Sequence, residues 1–430
     1  MSKKKYRKTT TRSRRKPRTL QGRVISTAGG EIQLALSLPQ VLAAAHGAIE
    51  GVAAEAGLLV MKALIDEEVE QLVGDRYKHQ EGREAVRWGQ EEGFTVFAGR
   101  KVPMKRPRVR KIDGGEMPLK RYAMFQSEAR MEDSVSQRIL RGVSTRNYEG
   151  VIDDVCDGYG IQKSSVSRHW KAATTKELAQ LMERPLADLD LAIVMVDGIS
   201  FHEFALVVAI GVCWGGKKHV LGIWDGATEN ATVVTALLED LVERGLDPKR
   251  RYLFVIDGSK ALKKGIMSVF GKRAVIQRCQ IHKERNVLSY LPEGHQMMIR
   301  RSLRAAWGMV TYEDAKMALD TVHRKLEALC PRAAASLKEG FEETLTIHRL
   351  GIPESLRMVL RSTNLIESIF ARTRELCKNV KQWRSSEMAL RWASTMLLYA
   401  EKNFRRIRGH DQVPNLIAAL NEFDRKEAVA

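Results

Sequence analysis

Residues 191–198 read LAIVMVDG and residues 252–258 read YLFVIDG. Each is a short apolar run that closes on Asp followed by Gly, the pattern of a buried strand running into a turn. The two strands span Leu191–Asp197 and Tyr252–Asp257. Between them lie two further apolar runs, Phe204–Trp214 and Lys218–Trp224, joined by the turn-forming pair Gly215-Gly216. An amphipathic helix follows over Ala231–Arg244 and is closed by Gly245. After the second Asp-Gly come a helix, Lys260–Phe270, and a fifth strand, Ala274–Cys279.

Three meandering strands, a helix, a strand, a helix and a strand make the order β-β-β-α-β-α-β. That order matches the ribonuclease-H-like fold, in which an antiparallel meander extends a parallel sheet. The expected fold class is therefore α/β. A ribonuclease-H-like core begins at 185–285, an all-helical insertion interrupts it at 286–355, and a helical part returns to it at 356–405. A C-terminal tail, 406–430, follows.

The acids give this fold a chemistry. Phosphodiester cleavage and strand transfer need an activated attacking oxygen and a neutralised leaving oxygen. Two divalent ions ~3.5–4 Å apart supply both, and holding hard cations takes several carboxylates at one place. Asp197 and Asp257 end their strands in the same way, so adjacent strands would deliver both to one edge of the sheet. A third acid, Glu367, lies in Ser362-Thr363-Asn364-Leu365-Ile366-Glu367, where a helix starts. One reading makes Asn364 the N-cap and Glu367 a capping-box acid. The other points Glu367 at the strand ends, with Arg374 two turns on along the same face to hold a phosphate or neutralise the acids.

These residues resemble the mutator-type insertion-sequence transposases of bacteria. The resemblance covers about 185–400 well and the N-terminal third loosely. Its most specific block runs from Asp257-Gly258 to Gln277-Arg278-Cys279-Gln280-Ile281-His282-Lys283-Glu284-Arg285-Asn286-Val287. It is similar to the family's second Asp and Cys-x-x-His signature; Asp197-Gly198 resembles the first Asp, and Thr363–Glu367 the Glu motif. The acids stand 60 and 110 residues apart, and the longer gap leaves room for the insertion. Small aliphatics near Val233 and Val234 depart from the family, which usually carries an aromatic there. The resemblance implies a DDE transposase that holds two Mg²⁺ ions, or Mn²⁺ in their place, on Asp197, Asp257 and Glu367. It also implies that His282 lies by the active site. From the residues alone, Cys279 and His282 stay open between half a zinc site, a structural pair and an active-site role. In the expected insertion, Trp307 sits among Arg300, Arg301 and Arg304. It is either a core residue or an aromatic that stacks an extruded base beside Arg304.

The rest of the chain fits a nucleic-acid enzyme. Net charge is +19, and residues 3–18 alone hold ten Lys and Arg with no acid, so residues 1–24 read as a disordered, polyanion-seeking tail. Residues 25–134 read as a helical region, Leu38–Val73, followed by a β-hairpin at 84–110. Seven basic residues within Arg100–Lys111 make that hairpin either a DNA contact or a solvated face. In 135–180, a helix over Tyr148–Asp157, a Gly158-Tyr159-Gly160 turn and a helix from Ser164 or Ser165 form a helix-turn-helix pattern. Arg168, His169 and Lys171 are its candidate DNA-contacting residues; a plain helical hairpin is the alternative.

Five widely spaced cysteines argue for a reducing compartment. The Val41–Ile65 stretch is interrupted by His46, Glu50 and Glu55, so no membrane partner is expected. The expected partner is double-stranded DNA, both inverted repeats and target. The chain is expected to be a homo-oligomer on it, in the bacterial cytoplasm and nucleoid. A nuclease without strand transfer and a DNA-binding regulator that has lost catalysis are the competing functions, and the intact acidic set argues against the regulator. Deleting residues 1–20 is expected to weaken binding to specific and random DNA alike and to flatten its salt dependence, as read by titrations across ionic strength. A loss confined to specific DNA would contradict an electrostatic tail.

Overall fold

The structure is a computed structural model that describes residues 23–26, 33–35, 49–76, 83–97, 100–141, 163–227 and 230–429. It divides into two compact units, Met1–Ala173 and Thr174–Ala430. The basic tail to residue 22 and the expected helix Tyr148–Asp157 lie outside the described residues.

In the first unit, β1 (Arg23–Ser26) and β2 (Gln33–Ala35) pair with each other. Helix α1 (Ile49–Val73) packs Ile65, Val69 and Val73 over a three-stranded antiparallel sheet of β3 (Ala85–Phe97), β4 (Arg100–Lys111) and β5 (Glu116–Met117). Helix α2 (Lys120–Phe125) closes this core with Tyr122 and Phe125. Its first N–H groups, on Lys120 and Arg121, are capped from a distance by the Glu68 carboxylate at 2.7 and 2.9 Å. The expected hairpin is present, but its basic row is partly neutralised. Arg106 and Arg108 pair with Glu91 and Glu116, and Arg110 lies over the exposed Trp88 ring. Helix α3 (Glu128–Leu140) follows.

Helix α4 (Lys163–Met182) carries the expected recognition residues. Arg168 and Lys171 are exposed. His169 is not: it is 6% exposed and shares the buried face of Val166 and Trp170, three and four residues apart along the helix. Of the three expected DNA-contacting residues, His169 is thus the one that faces inward.

The second unit has the β-β-β-α-β-α-β order read from the sequence. Its strands are β6 (Leu191–Phe201), β7 (Phe204–Cys213), β8 (Lys218–Asp225), β9 (Tyr252–Ile256) and β10 (Ala274–Arg278). Helix α5 (Ala231–Glu243) precedes β9, and α6 (Lys260–Phe270) separates β9 from β10. The sheet order is β10-β9-β6-β7-β8; β6, β7 and β8 run antiparallel, while β6, β9 and β10 run parallel. One face packs Val194, Val196, Phe254, Ile256 and Ile276 against Leu237, Leu241, Leu262 and Ile266 of α5 and α6.

Helices fill the rest of this unit. They are α7 (Gln280–Leu288), α8 (Glu293–Trp307), α9 (Tyr312–Leu329), α10 (Pro331–Lys338), α11 (Thr346–Arg349) and α12 (Glu354–Leu360). Then come α13 (Asn364–Cys377), α14 (Ser386–Glu401) and α15 (Val413–Val429). Within 406–430, expected as a tail, Val413, Leu416 and Leu420 are buried at helical spacing. No helix among the described residues is long and apolar enough to cross a membrane.

Trp307 ends α8 inside a core with Leu303, Leu319 and Leu345; it is 7% exposed and its indole N–H donates to Thr344 Oγ1 at 3.3 Å. Of the two readings of Trp307, the structure has the core one. Trp307→Ala is expected to destabilise the chain by about 3–5 kcal/mol in thermal or urea melts, and Trp307→Phe by much less. An unshifted melt for the alanine variant would contradict the core placement.

Candidate active site

Side chains alternate across a strand, so faces follow from register. Val194 and Val196 belong to the core under α5 and α6, which puts Asp197 on the opposite face of β6. By the same alternation, Phe254 and Ile256 place Asp257 on that opposite face, and Ile276 places Cys279 there. Met195 is level with Val255, and each Asp lies two residues further along the chain, Asp257 just past the end of β9. Arg278 is level with Ile256, so Cys279 is level with Asp257, and the Cys279 N–H continues the ladder onto the Ile256 carbonyl at 2.8 Å. Asp197, Asp257 and Cys279 therefore form one row. Asp197 does not end its strand as expected: β6 runs on to Phe201 with β7 alone, because its pairing with β9 stops at Met195.

Helix α13 packs on β6 and buries Ile366, Ile369, Phe370 and Thr373. Glu367 follows Ile366 near the start of that helix. It is not a capping-box acid: the helix begins after Thr363, and the Thr363 hydroxyl lies 2.7 Å from Glu367 Oε1. Glu367 Oε1 is 3.9 Å from His282 Nδ1. Arg374 is exposed on the same helix, and the structure gives it no ion pair among the described residues.

Local hydrogen bonds fix the two aspartates. Asp197 Oδ1 accepts the Gly198 N–H at 2.7 Å. Asp257 Oδ1 accepts the N–H groups of Gly258 and Ser259 at 2.5 and 2.8 Å. Gly258 has φ +155°, and a Cβ there would meet Arg278 Nε at 2.8 Å. A glycine is needed because the buried Arg278 guanidinium donates to the Gly258 carbonyl. The same guanidinium donates to the Glu339 carbonyl and carboxylate, and the buried Lys283 ammonium reaches that carboxylate at 3.1 Å. Burial, with Arg278 beside it, holds Lys283 below the usual lysine range.

Electrostatics tie the acids together. Burial pushes Asp197 up to about 6; the Gly198 hydrogen bond and His282 oppose this, while the charges of Asp257 and Glu367 add to it. His282 is raised by its hydrogen bond with Cys279 and by the nearby thiol, Glu367 and Asp257, against its own burial. Asp257, Ser259, Lys260, His282 and Asn286 line an open cleft.

Asp197, Asp257 and Cys279 make this row, with Glu367 on the helix beside it. A family model described as Transposase, Mutator family matches residues 31–407. The chain belongs to that family. It is 25% identical over 353 residues to the transposase for insertion sequence element ISRM5 of Rhizobium meliloti (strain 1021), covering 80% of this chain and 85% of the relative. It is 31% identical over 222 residues to the transposase for insertion sequence element IST2 of Acidithiobacillus ferrooxidans, covering 52% and 74%. It is 26% identical over 351 residues to the transposase for insertion sequence element IS256 in transposon Tn4001 of Staphylococcus aureus, covering 77% and 85%.

Not every candidate of this Mutator-family chain joins the row. Arg304, expected on DNA, forks onto the Glu284 carboxylate at 2.7 and 2.9 Å. Cys279 caps α7, its Sγ accepting the His282 N–H at 3.4 Å. Among the described residues, no three His, Cys, Asp or Glu side chains converge to hold a metal ion, whether around Cys279 and His282 or around the acids. Thr363, Lys260 and Asn286 were not read from the sequence as site residues; Thr363 was hidden because the capping role fell to Asn364.

The aspartate shift has a direct consequence for stability. An acid whose folded pKa is raised from 3.8 to about 6 destabilises the fold as pH rises through that window, and the loss is complete above it. Asp197→Asn is therefore expected to melt a few °C above the parent at pH 8 in chelator and level with it at pH 4. A variant that melts lower than the parent at pH 8 would contradict the charge strain at Asp197.

Proposed function

We propose that this member of the Mutator family is a DDE-type DNA transposase. Its sheet with α5 and α6 is read as a ribonuclease-H-like core, and residues 286–355 as a helical insertion between the second Asp and the Glu. One observation carries the reading: Met195 and Val255 are level on adjacent parallel strands, and Asp197 and Asp257, each two residues on, share one face, beside the Glu367 helix that packs on β6.

The donor set suits hard divalent ions in kind: three carboxylates share one electrostatic field, where burial first, and then the charges of Asp257 and Glu367, raise Asp197. Asp197, Asp257 and Glu367 would hold Mg²⁺, or Mn²⁺, which supplies Lewis-acid activation and neutralises developing charge on oxygen. The three do not converge in this structure, and the Glu367 oxygen that Thr363 does not hold would have to reach the aspartates.

The chain's own residues do the rest. The cleft beside Asp257 admits the scissile phosphate, and His282 meets a non-bridging oxygen with a proton. Arg374 balances the acids or holds a flanking phosphate. Water attacks phosphorus at the transposon end, the P–O3′ bond breaks, and the freed 3′-hydroxyl then attacks a target phosphodiester and displaces its 3′ oxygen. Arg168 and Lys171 on α4, with the basic tail, contact double-stranded DNA at inverted repeats and target. The acting form is an oligomer of this chain on nucleoid DNA in the bacterial cytoplasm.

The test uses the full chain with duplexes carrying the flanking ends of its own gene. Asp197→Ala, Asp257→Ala and Glu367→Ala are each expected to lower Mg²⁺-dependent cleavage by about 10³-fold or more while gel-shift binding holds. Substantial activity in a folded variant would remove that residue from the set. Cleavage without joining would point to a nuclease, and binding without cleavage to a regulator.

A further inference from the structure

We infer that Thr363 is a positioning residue that fixes the Glu367 carboxylate and the His282 ring against each other. It is fully buried and stands at the N-cap position of α13, where a threonine hydroxyl ordinarily caps the helix. Here it makes no such bond. Its Oγ1 lies instead 2.7 Å from Glu367 Oε1, 3.3 Å from His282 Nδ1 and 3.5 Å from Cys279 Sγ. The Thr363 N–H also donates to Cys279 Sγ, at 3.5 Å, and the same sulfur caps α7 through the His282 N–H. One side chain thus ties the start of α13 to the end of β10 and the start of α7.

The hydroxyl carries a single proton, and an ionised carboxylate can only accept. At 2.7 Å the proton goes to Glu367, so toward His282 the oxygen can only accept. The relay reads His282 Nδ1–H to Thr363 O–H to Glu367, and it fixes the ring orientation, with Nε2 left to carry the proton that meets the phosphate, as well as the carboxylate direction. Hydrogen-bonding partners of this kind around a metal ligand typically change metal affinity or activity by roughly 10–100-fold.

The inference rests on the reading of Glu367 as a metal ligand, so the test separates the two. Mn²⁺ binding to the full chain without DNA is followed by electron paramagnetic resonance, alongside the Mg²⁺ dependence of cleavage and the melting temperature. Thr363→Val, nearly isosteric, is expected to weaken Mn²⁺ binding and to raise the Mg²⁺ requirement, each by about tenfold, with the melting temperature little changed. Thr363→Ser restores both to within about twofold. Should the valine variant fail to fold, Thr363→Ala carries the same comparison. Parent-like Mn²⁺ binding in Thr363→Val, with weakened binding in Glu367→Ala, overturns the positioning role alone. Parent-like binding in Glu367→Ala overturns the ligand assignment beneath it.

Discussion

The register between β6 and β9 is the constraint on which the site depends. Met195 lies level with Val255, so two carboxylates two residues further on emerge side by side on one face. A slip of one residue in either strand would turn its aspartate into the core formed with Leu237, Leu241, Leu262 and Ile266. Burying an unpaired carboxylate there is costly enough to forbid the slip. The apolar face of the sheet, which touches no reactant, is therefore what aligns the acids. The crossover through α6 then sets β10 beside β9 and brings Cys279 into the same row.

Like charges gathered this way strain the fold. Asp197 is buried and close to Asp257 and Glu367, and only Gly198 and His282 offset that. Strain of this kind is tolerated where function requires it. The structure answers one part of it by setting His282 against Glu367 with the Thr363 hydroxyl between them.

A second charged network reaches the same loop from the other side. Arg278 and Lys283 are buried, and both converge on Glu339, at the end of α10, while Arg278 also holds the Gly258 carbonyl. Two cations facing one carboxylate hold the backbone next to Asp257 in place and fasten the helices after β10 to it. Breaking one member would leave a buried charge without its partner, which is strongly destabilising. The position of the helical stretch and the geometry of the Asp257 loop are thus mechanically linked.

Much of this was legible in the sequence because it rests on local pattern. Apolar runs closed by Asp-Gly at 197 and 257, the turn at Gly215-Gly216 and the helix ended by Gly245 are short-range signals, and the element order followed from them. The Cys-x-x-His and Thr-Asn-x-x-Glu strings carried the family. What the sequence could not decide is which side chain faces what across long separations. His169 and Trp307 carry polar or stacking groups that composition marks for DNA, yet their helical spacing against Val166 and Leu303 buries them. Glu367 has the spacing of a capping-box acid, and only the approach of β10 and α7 to the start of α13 shows its hydroxyl partner to be Thr363. Periodicity is a property of one segment and was fixed by the sequence alone; the meeting of residues some 80 positions apart depends on the packing that closes the sheet face, and tertiary structure decided it.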